Sequence, residues 1–161
     1  MCIGEILGRG VTATQAHAES APMSSWILTN PIAYPALEVV HITGIALLVG
    51  NLTLLEARVW GMGRDLAVQA VARLALAISV VGFGLAAASG VVMFAAQANE
   101  LIANRAFVLK MGFLTLAAAN AGLFHARDGL VKLDRTARVQ TALSLGLWVA
   151  VIICGRWIAY Q

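Results

Sequence analysis

Four long runs of apolar residues, separated by shorter segments that hold most of the charges, dominate the sequence. The runs cover residues 36–57, 74–96, 107–126 and 141–160. Each has the length of about 20 residues that an α-helix needs to cross the hydrocarbon of a bilayer. The pattern predicts four transmembrane helices rather than strands, because membrane strands are shorter, alternate in polarity and must close into barrels.

The composition supports a membrane protein and excludes the main soluble classes. Of the 161 residues, 60% are hydrophobic and 12% are charged, and the mean hydropathy is +0.84. These values are far from those of soluble globular or disordered chains, and two cysteines that lie far apart cannot form a disulfide framework. We therefore predict an all-α fold, an integral membrane four-helix bundle whose surroundings are the lipid bilayer.

The basic residues predict the orientation of this bundle. They concentrate in the segments between the first and second helices and between the third and fourth, at Arg58, Arg64, Arg73, Arg127, Lys132, Arg135 and Arg138. Basic linkers face the cytoplasm in membrane proteins. We expect an up-down-up-down topology in the bacterial inner membrane with both termini periplasmic. The net charge of +3 is then a topology signal, and we expect no nucleic-acid partner.

The chain divides into a tail and a membrane domain. Residues 31–161 hold the four predicted helices, whereas residues 1–30 lack the basic start and continuous apolar stretch of a secretory signal. We expect residues 1–30 to be a flexible tail, or an over-extended start with the functional chain beginning at Met23.

Four ionisable residues fall inside or beside the predicted helices and form the candidate site. Glu38 and His41 are three positions apart on the first helix and share a face. Lys110 is near the start of the third helix and Arg156 near the end of the fourth. In the predicted topology all four lie near the outer boundary of the membrane, and charges in hydrocarbon are functional candidates because they cost several kcal/mol when unpaired.

Three uses of this outer site remain open. In the first, His41 is the metal ligand of haem b, Met93 or Met111 is the second axial ligand, and Lys110 and Arg156 bind the propionates. In the second, Glu38 and His41 form a quinone or proton site. In the third, Glu38 forms an internal ion pair with Arg156 or Lys110 and the site is purely structural.

Other polar and small residues have structural interpretations. Small residues recur at four-residue intervals, which allows close helix packing in lipid; they are Gly82, Ala86 and Gly90, then Gly146, Ala150 and Cys154, and also Ala118 and Gly122. Glu56, Arg58 and Asp65 are expected to form salt bridges at the inner interface, and His125 lies at the opposite end of the bundle from His41.

Several motifs resemble those of an uncharacterised bacterial family of small four-helix membrane proteins. The motifs are Tyr-Pro-Ala-Leu-Glu-Val-Val-His-Ile-Thr-Gly at 34–44, Glu-Ala-Arg-Val-Trp-Gly at 56–61, Gly-Val-Val-Met-Phe at 90–94, Asn-Arg-Ala-Phe at 104–107 with Lys110, and Gly-Arg-Trp-Ile-Ala-Tyr at 155–160. The resemblance spans residues 26–160, with Glu56 where the family usually has aspartate. The chain is more distantly similar to copper-resistance D and cytochrome b561-like bundles, although it lacks their paired histidines. The resemblance implies the topology and no established activity.

The expected function is that of a multi-pass redox-accessory or membrane-anchor subunit with haem b or quinone at the outer site. No metal-protease, phosphate-loop or serine-triad motif is present, so we do not expect an enzyme acting alone. Other membrane subunits or further copies of the chain are the expected partners. The alternative is a purely structural subunit that packs onto a larger membrane complex.

Overall fold

The computed structural model describes residues 29–160, and this part of the chain is helical apart from short connections. The prediction of a flexible tail concerns residues that lie almost entirely outside this range. The helices are α1 (Ala33–Val59), α2 (Val68–Ala96), α3 (Ala98–Ala103), α4 (Arg105–Ala126), α5 (Gly129–Lys132) and α6 (Arg135–Trp157), followed by a 3-10 turn, Ile158–Tyr160. By length and composition, the four long helices can cross a membrane, as predicted.

All four long helices begin earlier than the apolar runs indicate, and α2 and α6 do so by six residues. Helix α2 begins at Val68 rather than at 74, and α6 begins at Arg135 rather than at 141. Hydropathy marks only the apolar stretch, whereas backbone hydrogen bonding continues through the charged first turns. At α6, Asp134 accepts a hydrogen bond from the backbone N–H of Ala137 at 2.8 Å, which is an N-cap that sets the first residue of the helix. The segment between α2 and α4, which has no predicted element, contains α3.

Helices α1 and α2 approach each other through small residues. A Cβ placed on Gly44 would lie 2.6 Å from the backbone nitrogen of Ala86, and one on Gly82 would lie 2.7 Å from the carbonyl oxygen of Gly44. No side chain fits in that space, so the two backbones are in direct contact. The predicted packing role of Gly82 and Ala86 is confirmed, and it makes α1 and α2 the most closely associated pair.

The second close pair is α4 with α6, and the two pairs meet mainly where α1 contacts α6. Three of the small residues predicted to pack on this second pair, Ala118, Gly122 and Gly146, do not do so, whereas Ala150 and Cys154 are partly buried. Gly122 and Gly146 have nothing within 4 Å of an added Cβ, and Ala118 is exposed. These positions face outward, where lipid would cover them, because α4 and α6 contact each other through other residues.

Most large apolar side chains lie on the outside of the molecule, including Val39, Leu74, Val108 and Val139. Such a surface is suited to contact with lipid and would be unfavourable in water. The buried apolar side chains form small clusters near the end of α1, for example Val59 with Phe124 and Ala137. Buried polar side chains are therefore the exception, and among the described residues Glu56, Asn120 and Thr141 share one cavity.

Candidate functional site

A cavity of about 450 Å³ lies among the four long helices at the start of α1; we call it the His41 cavity. Helices α1, α2, α4 and α6 all contribute to its wall, together with α3 and the 3-10 turn. The lining residues are Tyr34, Glu38, His41, Ile42, Ile45, Gly90, Met93, Phe94, Gln97, Leu101, Phe107, Lys110, Val151, Ile152, Gly155, Arg156, Ile158 and Ala159. Its volume is within the range of about 300–1,000 Å³ that is typical of ligand pockets.

The structure brings together every candidate site residue except one. Glu38, His41, Met93, Lys110 and Arg156 all line the His41 cavity. Met111 does not, and its side chain is 47% exposed on the surface of α4. Adjacent helical positions differ by about 100° in direction, so Met111 points away from the face that presents Lys110.

Local contacts hold the helix ends around the cavity. On α1, Tyr34, Glu38, His41 and Ile45 follow one another at spacings of four, three and four residues, which places them on one face. At the start of α4, the side-chain oxygen of Asn104 caps the backbone N–H groups of Ala106 and Phe107 at 2.9 and 3.2 Å.

Two contacts then join α4 to its neighbours at this end. Asn104 donates its side-chain N–H to the carbonyl of Ile158 at 3.4 Å, which connects the start of α4 to the end of α6. The rings of Phe94 and Phe107 stack with centroids 5.4 Å apart, which connects α2 to α4. The aromatic pair forms part of the apolar wall of the cavity.

The imidazole of His41 is held by helix α2. Its Nδ1 lies 2.8 Å from the carbonyl oxygen of Ala86 and 3.1 Å from the hydroxyl oxygen of Ser89. A carbonyl can only accept, so Nδ1 carries the hydrogen in this arrangement. The hydroxyl of Ser89 donates to the carbonyl of Leu85 at 2.6 Å and therefore also acts as an acceptor toward His41. This leaves Nε2 with its lone pair and with no hydrogen-bond partner in the described part of the chain.

Gly90 creates the space for this ring. A Cβ added to Gly90 would lie 3.1 Å from Cε1 of His41 and 3.5 Å from Nδ1. The third residue of the Gly82, Ala86 and Gly90 series therefore accommodates the imidazole rather than a helix backbone. The sequence pattern predicts only its small size, since nothing in it indicates which side chain of another helix lies opposite.

Lys110 is a partly buried cation without a counter-ion. Among residues 29–160, its ammonium group has no hydrogen bond or salt bridge. It lies over the backbone of α6, where a Cβ added to Gly155 would be 3.7 Å from Nζ. Lys110 and Glu38 are both close enough to His41 for Coulombic interaction. A cation in a cavity lined mainly by apolar side chains is unfavourable unless an anion or water compensates it.

The ion pairs expected for Glu38 are not formed. Arg156 donates a hydrogen bond to the hydroxyl of Tyr160 at 2.8 Å, and its guanidinium lies 5.1 Å from the centroid of that ring. Within the described range, the structure has one salt bridge, Arg127 with Asp134. Glu38 and Arg156 are both exposed, so water can solvate each charge separately and neither needs the other.

A second, smaller cavity surrounds Glu56 near the end of α1; we call it the Glu56 chamber. It has a volume of about 70 Å³ and is lined by Leu52, Leu55, Glu56, Leu76, Asn120, Ala121, Phe124, His125, Gln140, Thr141 and Ser144. Glu56 is only 4% exposed, and its Oε2 atom has no hydrogen-bond partner among the residues that the structure describes. The salt bridges predicted for Glu56 with its neighbours are absent here, because Arg58 donates instead to the carbonyls of Leu66 and Arg64.

The sequence contains a signal for the burial of Glu56. Leu48, Leu52, Leu55 and Val59 follow the three- and four-residue spacing of a buried helix face, and Glu56 lies on the same side of α1. Proximity in sequence to Arg58 and Asp65 suggests an exposed interface instead. Helical periodicity is the better guide at this position, because neighbours two positions apart on a helix do not face each other.

The two cavities differ in the chemistry they offer. The His41 cavity has an imidazole nitrogen lone pair, a thioether, two cations, the exposed carboxylate of Glu38 and apolar walls, whereas the Glu56 chamber has one buried carboxylate, hydroxyl and amide groups and the exposed imidazole of His125. No group of three histidine, cysteine or acidic residues that could hold a metal ion occurs in the described residues. Comparisons of the chain with protein-family models, curated proteins and solved structures find no match.

Proposed function

We propose that the protein is a haem b-binding redox-accessory subunit of the bacterial inner membrane, with the haem in the His41 cavity. The observation that carries this proposal is the state of His41, whose Nδ1–H is bound to a backbone carbonyl while Nε2 is left free. Histidines that ligate metals usually donate their other ring N–H to such a carbonyl, which fixes the ring and its tautomer. A haem in this cavity would be held through Nε2 of His41.

The unpaired cations favour haem b over a quinone. A quinone is neutral and could accept hydrogen bonds from Lys110, but it would leave the charge of Lys110 uncompensated. Haem b carries two propionates, and Lys110 and Arg156 line the same cavity as His41. An ammonium or guanidinium beside a carboxylate forms a charge-assisted hydrogen bond, which is stronger than one between neutral groups. The apolar wall, including Phe94 and Phe107, suits the porphyrin.

Met93 is the second residue that would hold the haem in this proposal. It lines the His41 cavity, whereas Met111 does not. A haem held by a histidine and a methionine would supply one-electron transfer at a raised reduction potential rather than oxygen chemistry. The protein would then pass single electrons to a partner subunit or to a second copy of the chain.

We propose that the His41 cavity faces the periplasm and the Glu56 chamber faces the cytoplasm. The starts of α1 and α4 and the ends of α2 and α6 line the first cavity, which supports an up-down-up-down topology. The basic segments between α1 and α2 and between α4 and α6 lie beyond the other ends of these helices, and positive linkers favour the cytoplasm. Both termini are periplasmic in this arrangement.

We also propose that the chain belongs with the uncharacterised bacterial family that its motifs resemble. Segments 34–44, 90–94 and 155–160 supply Glu38, His41, Met93 and Arg156 to the cavity. The motifs of this resemblance therefore include most of the residues proposed to bind haem. This supports the proposal that the family motifs correspond to the residues that line the His41 cavity.

The experiment that tests the proposal is an absorption spectrum of the detergent-purified protein after expression with added haem, recorded with and without dithionite. We expect a Soret band and, after reduction, the sharp visible bands of a six-coordinate b-type haem. His41→Ala should lose the bound haem because it removes the axial nitrogen.

The matched control is His125→Ala, which removes the other histidine of the described chain and leaves the His41 cavity intact. This variant should keep the wild-type spectrum. A wild-type protein without a Soret band, or a His41→Ala protein with an unchanged spectrum, would contradict the proposal. Co-purification of a quinone in place of haem would support the second use of the site.

A further inference from the structure

The Glu56 chamber holds a buried carboxylate that no cationic group of residues 29–160 neutralises. Only 4% of the surface of Glu56 is exposed, and Oε2 has no hydrogen-bond partner within the same range. The Ser144 side chain is the one positioned to donate a hydrogen bond to the carboxyl group. A carboxylate in a low-dielectric site with no compensating charge is costly by several kcal/mol.

The charged groups near the chamber do not compensate Glu56. From α4, His125 is the other titratable residue in the lining, and it is exposed and tilted against the ring of Phe124. Arg127 donates to the side-chain oxygen of Gln140 at 3.2 Å and forms its salt bridge with Asp134. From α2, the lining residue is the apolar Leu76. In the described chain, Glu56 thus lacks a cationic partner.

The other polar groups of the chamber include oxygen atoms that hydrogen bonds hold in place and that could ligate a cation. The side-chain N–H of Asn120 donates to the carbonyl of Gln140 at 2.9 Å, so its Oδ1 is the atom that remains as an acceptor. Thr141 accepts a hydrogen bond from the indole N–H of Trp60 and donates to the carbonyl of Arg138, each at 2.9 Å. Asn120 and Thr141 are both buried. Carboxylate, amide and hydroxyl oxygens are the ligands that hard cations prefer.

We infer that the Glu56 chamber is a binding site for a single small monovalent cation, and Na⁺ is the ion used to probe it. One carboxylate balances one positive charge. A divalent ion would remain under-neutralised, and calcium and magnesium sites are usually built with more than one carboxylate or with several bound waters. The chamber volume of about 70 Å³ leaves room for an ion with one or two waters, since a water occupies about 30 Å³.

The experiment compares thermal unfolding of the detergent-purified protein in NaCl and in choline chloride at equal ionic strength. Choline is too large to enter the chamber. At equal ionic strength it therefore controls for the general screening of charges by salt. An ion that binds only the folded state raises the unfolding midpoint with its concentration, by about 5–10 °C when Na⁺ is at about 100 times its dissociation constant. Glu56→Gln keeps the shape of the side chain, removes its charge and should abolish the difference between the two salts.

Glu100→Gln is the matched control, because it neutralises an exposed carboxylate that lines neither cavity and should retain the effect of Na⁺. Glu56→Gln should also unfold in choline at or above the wild-type midpoint, since it removes an uncompensated buried charge. Equal midpoints of the wild type in the two salts would overturn the inference and would leave a proton or water as the occupant. A Na⁺ effect that persists in Glu56→Gln would overturn it as well. Neither result depends on haem binding.

Discussion

At the scale of single residues, the His41 cavity depends on one carbonyl and one missing side chain. The carbonyl of Ala86 orients the imidazole of His41 through Nδ1, and the absence of a side chain at Gly90 leaves room for the ring. Neither Ala86 nor Gly90 has a side chain that would mark it as a functional residue in the sequence. Both nevertheless determine whether Nε2 can reach a ligand in the cavity.

Enlarging Gly90 should therefore weaken haem binding without unfolding the protein. Gly90→Val places its Cβ against the imidazole, and forcing such a side chain aside costs about 1–3 kcal/mol, which corresponds to roughly tenfold or more in affinity. Haem content per chain and the unfolding midpoint are the measurements. Gly112→Val is the control, since an added Cβ there meets nothing within 4 Å. Equal haem content in the two variants would contradict the role of Gly90.

The charges of Glu38 and Arg156 should act independently. Because Arg156 is bound to Tyr160 and Glu38 is exposed, the effects of Glu38→Leu and Arg156→Leu on the free energy of unfolding should add in the double variant to within about 0.5 kcal/mol. Reversible unfolding in mixed detergent micelles measures all four proteins. A larger coupling energy would restore the internal ion pair and the purely structural account of the site.

The sequence largely predicts which residues belong to the His41 cavity, but it does not predict which contacts their side chains make. Charges are rare in apolar helices, so Glu38, His41, Lys110 and Arg156 stand out in the sequence. Whether these residues form ion pairs depends on the conformations of long side chains at the helix ends. The spacing of residues along the chain does not determine those conformations. Arg156 instead contacts Tyr160, four residues further along its own chain.

At the scale of helices, the protein consists of two close pairs, α1 with α2 and α4 with α6, joined mainly through α1 and α6. Apolar length predicted all four long helices. The small-residue spacing predicted the contact on α2 correctly, but on α4 and α6 the small residues Ala118, Gly122 and Gly146 face outward. A stripe of small residues allows two helix backbones to pack closely. Whether another helix packs against that stripe depends on how the helices are arranged in the fold.

The contact between α1 and α2 should be the most sensitive to added volume. Gly82→Val would drive a side chain into the backbone of α1 near Gly44 and Leu48, and the helices would have to separate. We expect a loss of about 3 kcal/mol or more in the free energy of unfolding. Gly84→Val, on the open side of the same helix, should change the stability by well under half of that. Similar losses in both variants would contradict the assignment of this contact.

At the scale of the whole molecule, two polar cavities lie at opposite ends of α1, one around His41 and one around Glu56. The 15 residues between them correspond to about 22 Å of helix at 1.5 Å per residue. In the proposed topology these ends face different compartments. The cofactor site then communicates with the periplasm and the cation site with the cytoplasm.

This orientation predicts opposite accessibility for two matched exposed acidic positions, Asp65 after α1 and Glu100 in α3. In a background with Cys2→Ser and Cys154→Ala, a membrane-impermeant maleimide should label Glu100→Cys in intact cells with a permeable outer membrane. It should label Asp65→Cys only after the inner membrane is opened. Labelling of both positions, or of Asp65→Cys alone, in intact cells would contradict the topology.

The central claim is that Nε2 of His41 binds haem b in the cavity. Its most direct test is a titration of the purified, haem-free protein with haem in detergent, followed by absorbance. The wild type should saturate with a sharp break at one haem per chain and develop the spectrum of a low-spin, six-coordinate iron. The same titration of His41→Ala should show no saturable break. A wild-type titration without a break, or one identical to that of His41→Ala, would contradict the claim.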